Sequence, residues 1–139
     1  MDVVIAKKTS LERCISQARA YYKLPSELPF AEDYLRQDAI SANIQRACEL
    51  AIDIANVVIK LRRLGVPQSS RESFEILARE GVISPELAAK MKNMVGFRNI
   101  MVHQYKDLDA EVYVEVIEAG ADQLLEFAQA ALLLAQSQS

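Results

Sequence analysis

The stretch EDYLRQDAISANIQRACELAIDIANVVIKLRRL, residues 32–64, contains no proline or glycine. Its apolar residues recur at helical intervals, which predicts one helix of roughly 45 to 50 Å at 1.5 Å per residue. Gly65 and Pro67 follow as stop signals. A helix this long with an apolar stripe needs other helices to cover it, so the stretch indicates a helical bundle. The residues that define the stripe are Leu35, Ala39, Ala42, Ala47, Leu50, Ala51, Ile54, Val58, Leu61 and Leu64.

Start and stop signals on both sides of this stretch mark further helices. Residues 3–23 have the same apolar spacing, and the two prolines of KLPSELPF, residues 23–30, end that helix. Ser69 and Glu72 match the S-x-x-E capping box, which predicts a short helix over about 71–80.

The second half of the chain predicts two more helices. Ser84 followed by Pro85 begins one that runs toward Val102, and Asp109 caps the last one, which continues to the tail. The predicted fold is all-α: an antiparallel up-and-down four-helix bundle with one additional short helix, formed by residues 1–139 as a single domain.

Composition limits the classes of function. A net charge of −3 argues against a broad basic face, so any contact with nucleic acid must be local. Cys14 and Cys48 form no CxxC pair, and we expect two reduced thiols. The run AALLLA, residues 130–135, is too short to cross a bilayer, and the N-terminus has no signal-peptide pattern. We therefore expect a soluble cytoplasmic protein without membrane association.

The stretch FRNIMVHQY, residues 97–105, holds the only histidine of the chain. On an ideal helix Asn99 and His103 can touch, whereas Arg98 and His103 lie about 140° apart. They converge only if the helix ends or distorts before His103. The poor apolar pattern after it predicts such an end, with His103 and Tyr105 projecting into a cleft.

These side chains suit phosphodiester transfer in RNA. The histidine can deprotonate a 2′-hydroxyl, the arginine can stabilise charge on the phosphate, and Asn99 can hold one ring nitrogen. One histidine cannot be both base and acid, so a symmetric homodimer would complete the pair. With one histidine and no Glu-x-x-His pair, we expect neither a metal nor a cofactor.

Alternatives stay open for two groups of residues. His103 could merely hydrogen-bond at a helix end while Tyr105 packs and Arg98 is solvated. Glu49 and Asp53 share a polar stripe on the long helix, which either faces water or supports Arg98 with a carboxylate, with Asp53 slightly favoured.

Arg98-Asn99, His103 and Tyr105 resemble the R-x4-H-x-Y motif of HEPN toxins, in particular the HepT branch that pairs with a minimal, MntA-like nucleotidyltransferase. The stretch QRACELAIDIANVVI, residues 45–59, is similar to the second helix of that branch. The resemblance extends over nearly the whole chain, including helix order and length.

The resemblance implies the toxin of a type VII-like toxin–antitoxin system. Such a toxin is a homodimeric, metal-independent endoribonuclease with Arg98 and His103 of both subunits at the dimer cleft, supported by Asn99. It further implies that the cognate nucleotidyltransferase antitoxin attaches AMP to Tyr105 and so blocks the cleft to RNA.

The chain differs from the common family pattern at Val57, where members often carry a second histidine. His103 is thus the only imidazole in each subunit, and dimerisation gains importance. A second class of function is a non-catalytic helical dimer that binds nucleotide or RNA, or serves as the docking partner of a nucleotidyltransferase. The acidic net charge favours this class, and the matching motif residues favour the ribonuclease.

Overall fold

All regular structure in the described part of the chain, residues 2–104 and 110–137, is helical in the computed structural model, and the side chains at 102–104 and 110 are outside this description. The predicted all-α bundle is confirmed. The elements are α1 (Asp2–Lys23), a 3-10 helix (Phe30–Glu32), α2 (Tyr34–Arg62), α3 (Ser70–Arg79), α4 (Pro85–Gln104), α5 (Ala110–Glu115), a π-helical turn (Val116–Gly120) and α6 (Ala121–Gln136).

The main helices alternate in direction. α1 and α2 are antiparallel, because the Lys7 ammonium lies 3.4 Å from the Asp53 carboxylate while Arg36, at the start of α2, donates to the Leu24 carbonyl beyond the end of α1. Ser41, near the start of α2, donates to the hydroxyl of Tyr113 in α5 at 3.0 Å. The end of α1 and the starts of α2 and α5 therefore share one end of the bundle, toward which α4 runs.

Side-chain caps fix two helix starts where the sequence predicts them. Ser69 accepts from the Glu72 amide at 3.1 Å, and Ser84 accepts from the Leu87 amide at 3.1 Å. The long helix begins later than predicted, because Asp33 is its cap and accepts from the Arg36 amide.

The long helix also ends earlier than predicted. It stops at Arg62 because Arg63, at φ 55°, takes the left-handed conformation and donates its amide to the carbonyls of Ile59 and Lys60. Gly65, the predicted stop, is a second left-handed residue farther along the connection.

Asp33 and Arg36 also fasten the connection between α1 and α2. The Arg36 Nε atom lies 3.0 Å from the Asp33 carboxylate, and the Ser26 hydroxyl donates to that carboxylate at 2.7 Å. The Ser26 hydrogen bond is the main cause of a lowered pKa at Asp33, aided by the Arg36 amide and charge. A lowered carboxyl pKa stabilises the fold at neutral pH, and this contribution is lost as the pH falls through that pKa.

The core is continuous from α1 to α6, and three edge-to-face aromatic pairs join elements within it or against it. The rings of Phe74 in α3 and Phe127 in α6 meet edge to face at 5.2 Å, and both are fully buried.

Next to α4, a Cβ at Gly120 would lie 2.9 Å from the Met94 sulfur, so the bare backbone of the π-helical turn lets the last helix approach α4 closely.

Candidate active site

Helix α4 carries the predicted site residues in its last two turns. Its core-facing side chains bury one face of the helix and hold it against α2, α3 and α6. These side chains are Leu87, Ala88, Met91, Met94, Val95 and Met101.

The predicted end of this helix before His103 is wrong. α4 continues to Gln104, because the stretch from Phe97 onward has no proline or glycine and Met101, 1% exposed, packs the last turns into the core. On the regular helix, positions 98 and 103 stay about 140° apart. The side chain of His103 lies outside the described residues, so its predicted projection into a cleft stays a prediction.

Arg98 and Asn99 form the chemical centre of the described part of this stretch. Arg98 is half-buried, and its Nε and Nη2 atoms donate to the Asn99 Oδ1 atom at 3.2 and 2.7 Å. Position 99 is one turn before position 103, about 40° away around the axis. The Asn99 Oδ1 atom therefore accepts from Arg98, and this hydrogen bond orients the guanidinium toward the face of α4 that carries position 103.

The carboxylates considered as partners of Arg98 pair with other cations. Asp53 lies 3.4 Å from the Lys7 ammonium, and Glu49 lies 3.8 Å from the Arg46 guanidinium. The Asp53 and Glu49 side chains are both 46% exposed, as the solvent-facing interpretation of the stripe expects. Arg98 was expected to pair with one of these carboxylates. In the structure it donates to the Asn99 amide oxygen instead.

Cys48 of α2 lies directly beneath α4, with its sulfur 3.8 Å from the Met94 carbonyl oxygen. Burial raises the pKa of the Cys48 thiol to about 12; the charge of Arg98 opposes this rise and that of Glu49 adds to it. The thiol is therefore protonated at neutral pH and is no nucleophile.

A second guanidinium, which the sequence patterns did not single out, lies beside the same helix. The Arg71 Nη2 atom of α3 would be 2.8 Å from a Cβ at Gly96, so the arginine lies against bare backbone of α4. The sequence does show that Arg71 is unusual: it lies two residues after the Ser69 cap, in a first helical turn where acidic residues are favoured.

Tyr105, the expected modification site, and Asp109, the expected cap, lie outside the described residues. Among the side chains that are described, no three His, Cys, Asp or Glu residues are grouped closely enough to hold a metal ion. In the same part of the chain, no helix combines the length and apolar character needed to cross a membrane.

Comparison with known proteins identifies the family of this chain. A family model described as Ribonuclease HepT-like matches residues 11–131. The chain belongs to this family. The HepT resemblance seen in FRNIMVHQY, residues 97–105, is thereby confirmed.

HepT-like relatives match most of the chain. The mRNA nuclease HepT of Shewanella oneidensis is 39% identical over 126 residues, which covers 91% of this chain and 93% of the relative. The tRNA nuclease HepT of Aphanizomenon flos-aquae is 32% identical over 82 residues, 56% of each chain. A solved structure of the tri-AMPylated Shewanella oneidensis HEPN toxin in complex with MNT antitoxin matches with a TM-score of 0.88 and 37% identity, covering 96% of this chain and 98% of that one.

Proposed function

We propose that this HepT-like protein is the toxin of a type VII-like HEPN/MNT toxin–antitoxin system and cleaves RNA in the cytoplasm as a metal-independent endoribonuclease. The observation that carries the proposal is the Arg98 guanidinium held by Asn99 one helical turn before His103, in a chain of a ribonuclease family. Arg98, Asn99 and His103 are the proposed catalytic residues.

The chemistry uses the 2′-hydroxyl of the RNA itself. His103 takes the proton from this hydroxyl as its oxygen attacks the neighbouring phosphorus, and Arg98 stabilises the negative charge that develops on the phosphate oxygens. The bond from phosphorus to the 5′-oxygen breaks, and that oxygen takes a proton from an acid. The products are a 2′,3′-cyclic phosphate and a free 5′-hydroxyl.

The need for an acid supports a homodimer. Each subunit has one histidine, and positions 98 and 103 are about 140° apart on α4, so one helix does not bring both groups to one phosphate. A second copy, related by a two-fold axis, would supply a second imidazole to the same cleft. The exposed apolar side chain of Ile100, beside Asn99, fits such a contact between copies.

Expression without an antitoxin tests the proposed function. We expect the wild-type chain to arrest growth and degrade RNA, and His103→Ala to lower the cleavage rate at least about a hundredfold, since it removes the general base. The measurement is growth together with RNA cleavage by the purified protein.

Lys90→Ala is the matched control for His103→Ala, because it removes an exposed cation from the same helix. This variant should retain wild-type cleavage. Cleavage that persists in both variants would refute the catalytic assignment, and RNA binding without cleavage by the wild type would establish the non-catalytic alternative.

We also propose that a cognate minimal nucleotidyltransferase inactivates the toxin at Tyr105. The tyrosine oxygen attacks the α-phosphorus of ATP, the bond to pyrophosphate breaks, and AMP stays on the tyrosine. The added phosphate would compete with RNA for the donors of Arg98. This proposal is supported by the tri-AMPylated state of the Shewanella oneidensis toxin.

Mass spectrometry of the protein after incubation with its nucleotidyltransferase and ATP tests this modification. We expect adenylyl groups on the peptide that contains Tyr105, and loss of the label in Tyr105→Phe. The matched control is Tyr34→Phe, which alters a tyrosine that is 69% exposed and should leave labelling unchanged. Full labelling of Tyr105→Phe would assign the modification to another residue.

A further inference from the structure

The contact between Arg71 and Gly96 places a second arginine beside the proposed active site. The guanidinium lies so close to α4 that a Cβ at Gly96 would be 2.8 Å from its Nη2 atom. Real Cβ contacts are essentially never this short, so a Cβ at position 96 would force the end of the Arg71 side chain to shift.

The location of Arg71 is electrostatically unfavourable for the isolated protein. Ser69 caps α3, so Arg71 lies in the first helical turn, where the helix dipole disfavours a positive charge. Nearby carboxylates on α3 have other partners: Glu72 accepts from the Gln68 amide at 3.0 Å, and Glu75 pairs with Lys92 at 3.3 Å. An exposed cation in such a turn suggests that an anion binds there.

The contact also brings Arg71 to the face of α4 that carries Asn99 and position 103. Positions 96, 99 and 103 fall within about 60° of one another on a regular helix. Gly96 precedes Asn99 by about 4.5 Å of helix rise. The Arg71 guanidinium therefore lies on this face, about two turns along α4 before position 103.

We propose that Arg71 binds a backbone phosphate of the RNA next to the phosphate that is cleaved, and that Gly96 is the residue that positions it. The proposal rests on the ribonuclease function proposed above and extends its RNA-binding site to α3. It gives a chain of net charge −3 a local cation for a polyanionic substrate. Arg71 binds RNA in this arrangement, and the chemical step is left to the residues of α4.

RNA binding by Arg71→Ala, made in the inactive His103→Ala background, tests the proposal. The probe is a labelled mixed-sequence single-stranded oligoribonucleotide, followed by fluorescence anisotropy over a series of salt concentrations. We expect the affinity to fall about fivefold to twentyfold and the slope of log K against log salt to decrease by about 0.7, the value of one phosphate contact on a single strand. With His103 intact, KM should rise while kcat changes little.

Arg79→Ala is the matched control, because it removes the same charge from the same helix. Arg79 lies in the last turn of α3, where it pairs with Glu80 at 3.6 Å. It should retain wild-type affinity and salt slope. Equal binding by the wild type, Arg71→Ala and Arg79→Ala would overturn the proposal, while RNA cleavage by the wild type would still support the proposed function.

Gly96→Ala separates positioning from a general loss of structure. The new methyl group displaces the guanidinium, while alanine favours the helix by about 1 kcal/mol over glycine, so α4 should stay folded. We expect Gly96→Ala to weaken RNA binding as Arg71→Ala does, and the double variant to be no weaker than Arg71→Ala alone. Additive losses would overturn the positioning role of Gly96. Light scattering on each variant checks that its oligomeric state matches the wild type.

Discussion

Arg98→Ala is expected to lower the RNA cleavage rate by about 10² to 10³ while the protein stays folded, because it removes donors that stabilise charge in the transition state. Arg98→Lys should recover only part of the rate. Lysine keeps the charge but lacks the fork through which Nε and Nη2 both reach the Asn99 oxygen. Single-turnover cleavage measures the chemical step directly.

Arg46→Ala is the control for this loss. Arg46 is 57% exposed on α2, and its ion pair with Glu49 is at 3.8 Å, so its removal should leave cleavage within about twofold of wild type. An Arg98→Ala protein as active as Arg46→Ala would remove Arg98 from the mechanism. Asn99→Ala should fall between the two, since it frees the guanidinium without deleting it.

Phe127→Ala is expected to lower the free energy of unfolding by about 3 to 5 kcal/mol. Phe127 is 0% exposed, and its ring meets Phe74 edge to face, so truncation leaves a cavity between α3 and α6. Urea denaturation followed by circular dichroism measures the change.

Leu133→Ala provides the comparison on the same helix. Leu133 is 58% exposed, and its truncation should change the free energy of unfolding by less than about 1 kcal/mol. Similar losses in both variants would mean that the contact between α3 and α6 does not stabilise the fold as the packing indicates. Because α3 carries Arg71, Phe127→Ala should also weaken RNA binding near its unfolding midpoint.

The helices could be predicted because their determinants are local. The caps at Ser69 and Ser84 act within three residues of sequence, and the apolar period of residues 32–64 reports one buried face. The error at the end of α4 has a tertiary cause. Met101 is held in the core by neighbouring helices, and this packing extends the helix beyond the point where its own periodicity weakens.

The partners of the site residues could be predicted less well. Lys7, on another helix, pairs with Asp53, Arg46 pairs with Glu49, and Arg98 donates to Asn99 instead. Arg71 was missed because its contact with Gly96 joins two helices whose relative placement periodicity does not define. The family motif identified the positions that matter, and the helix packing decides which groups meet.

The reactivity of the Cys48 thiol reports local opening of the helix packing. Cys48 is 2% exposed, its sulfur lies against the backbone of α4 at Met94, and its high pKa keeps the thiol unreactive while it is buried there. A thiol reagent reaches it only when α4 separates from α2, whereas half-buried Cys14 lies outside that contact. The rate at which Cys48 is alkylated therefore measures how often α4, the helix that carries Arg98 and His103, separates from α2.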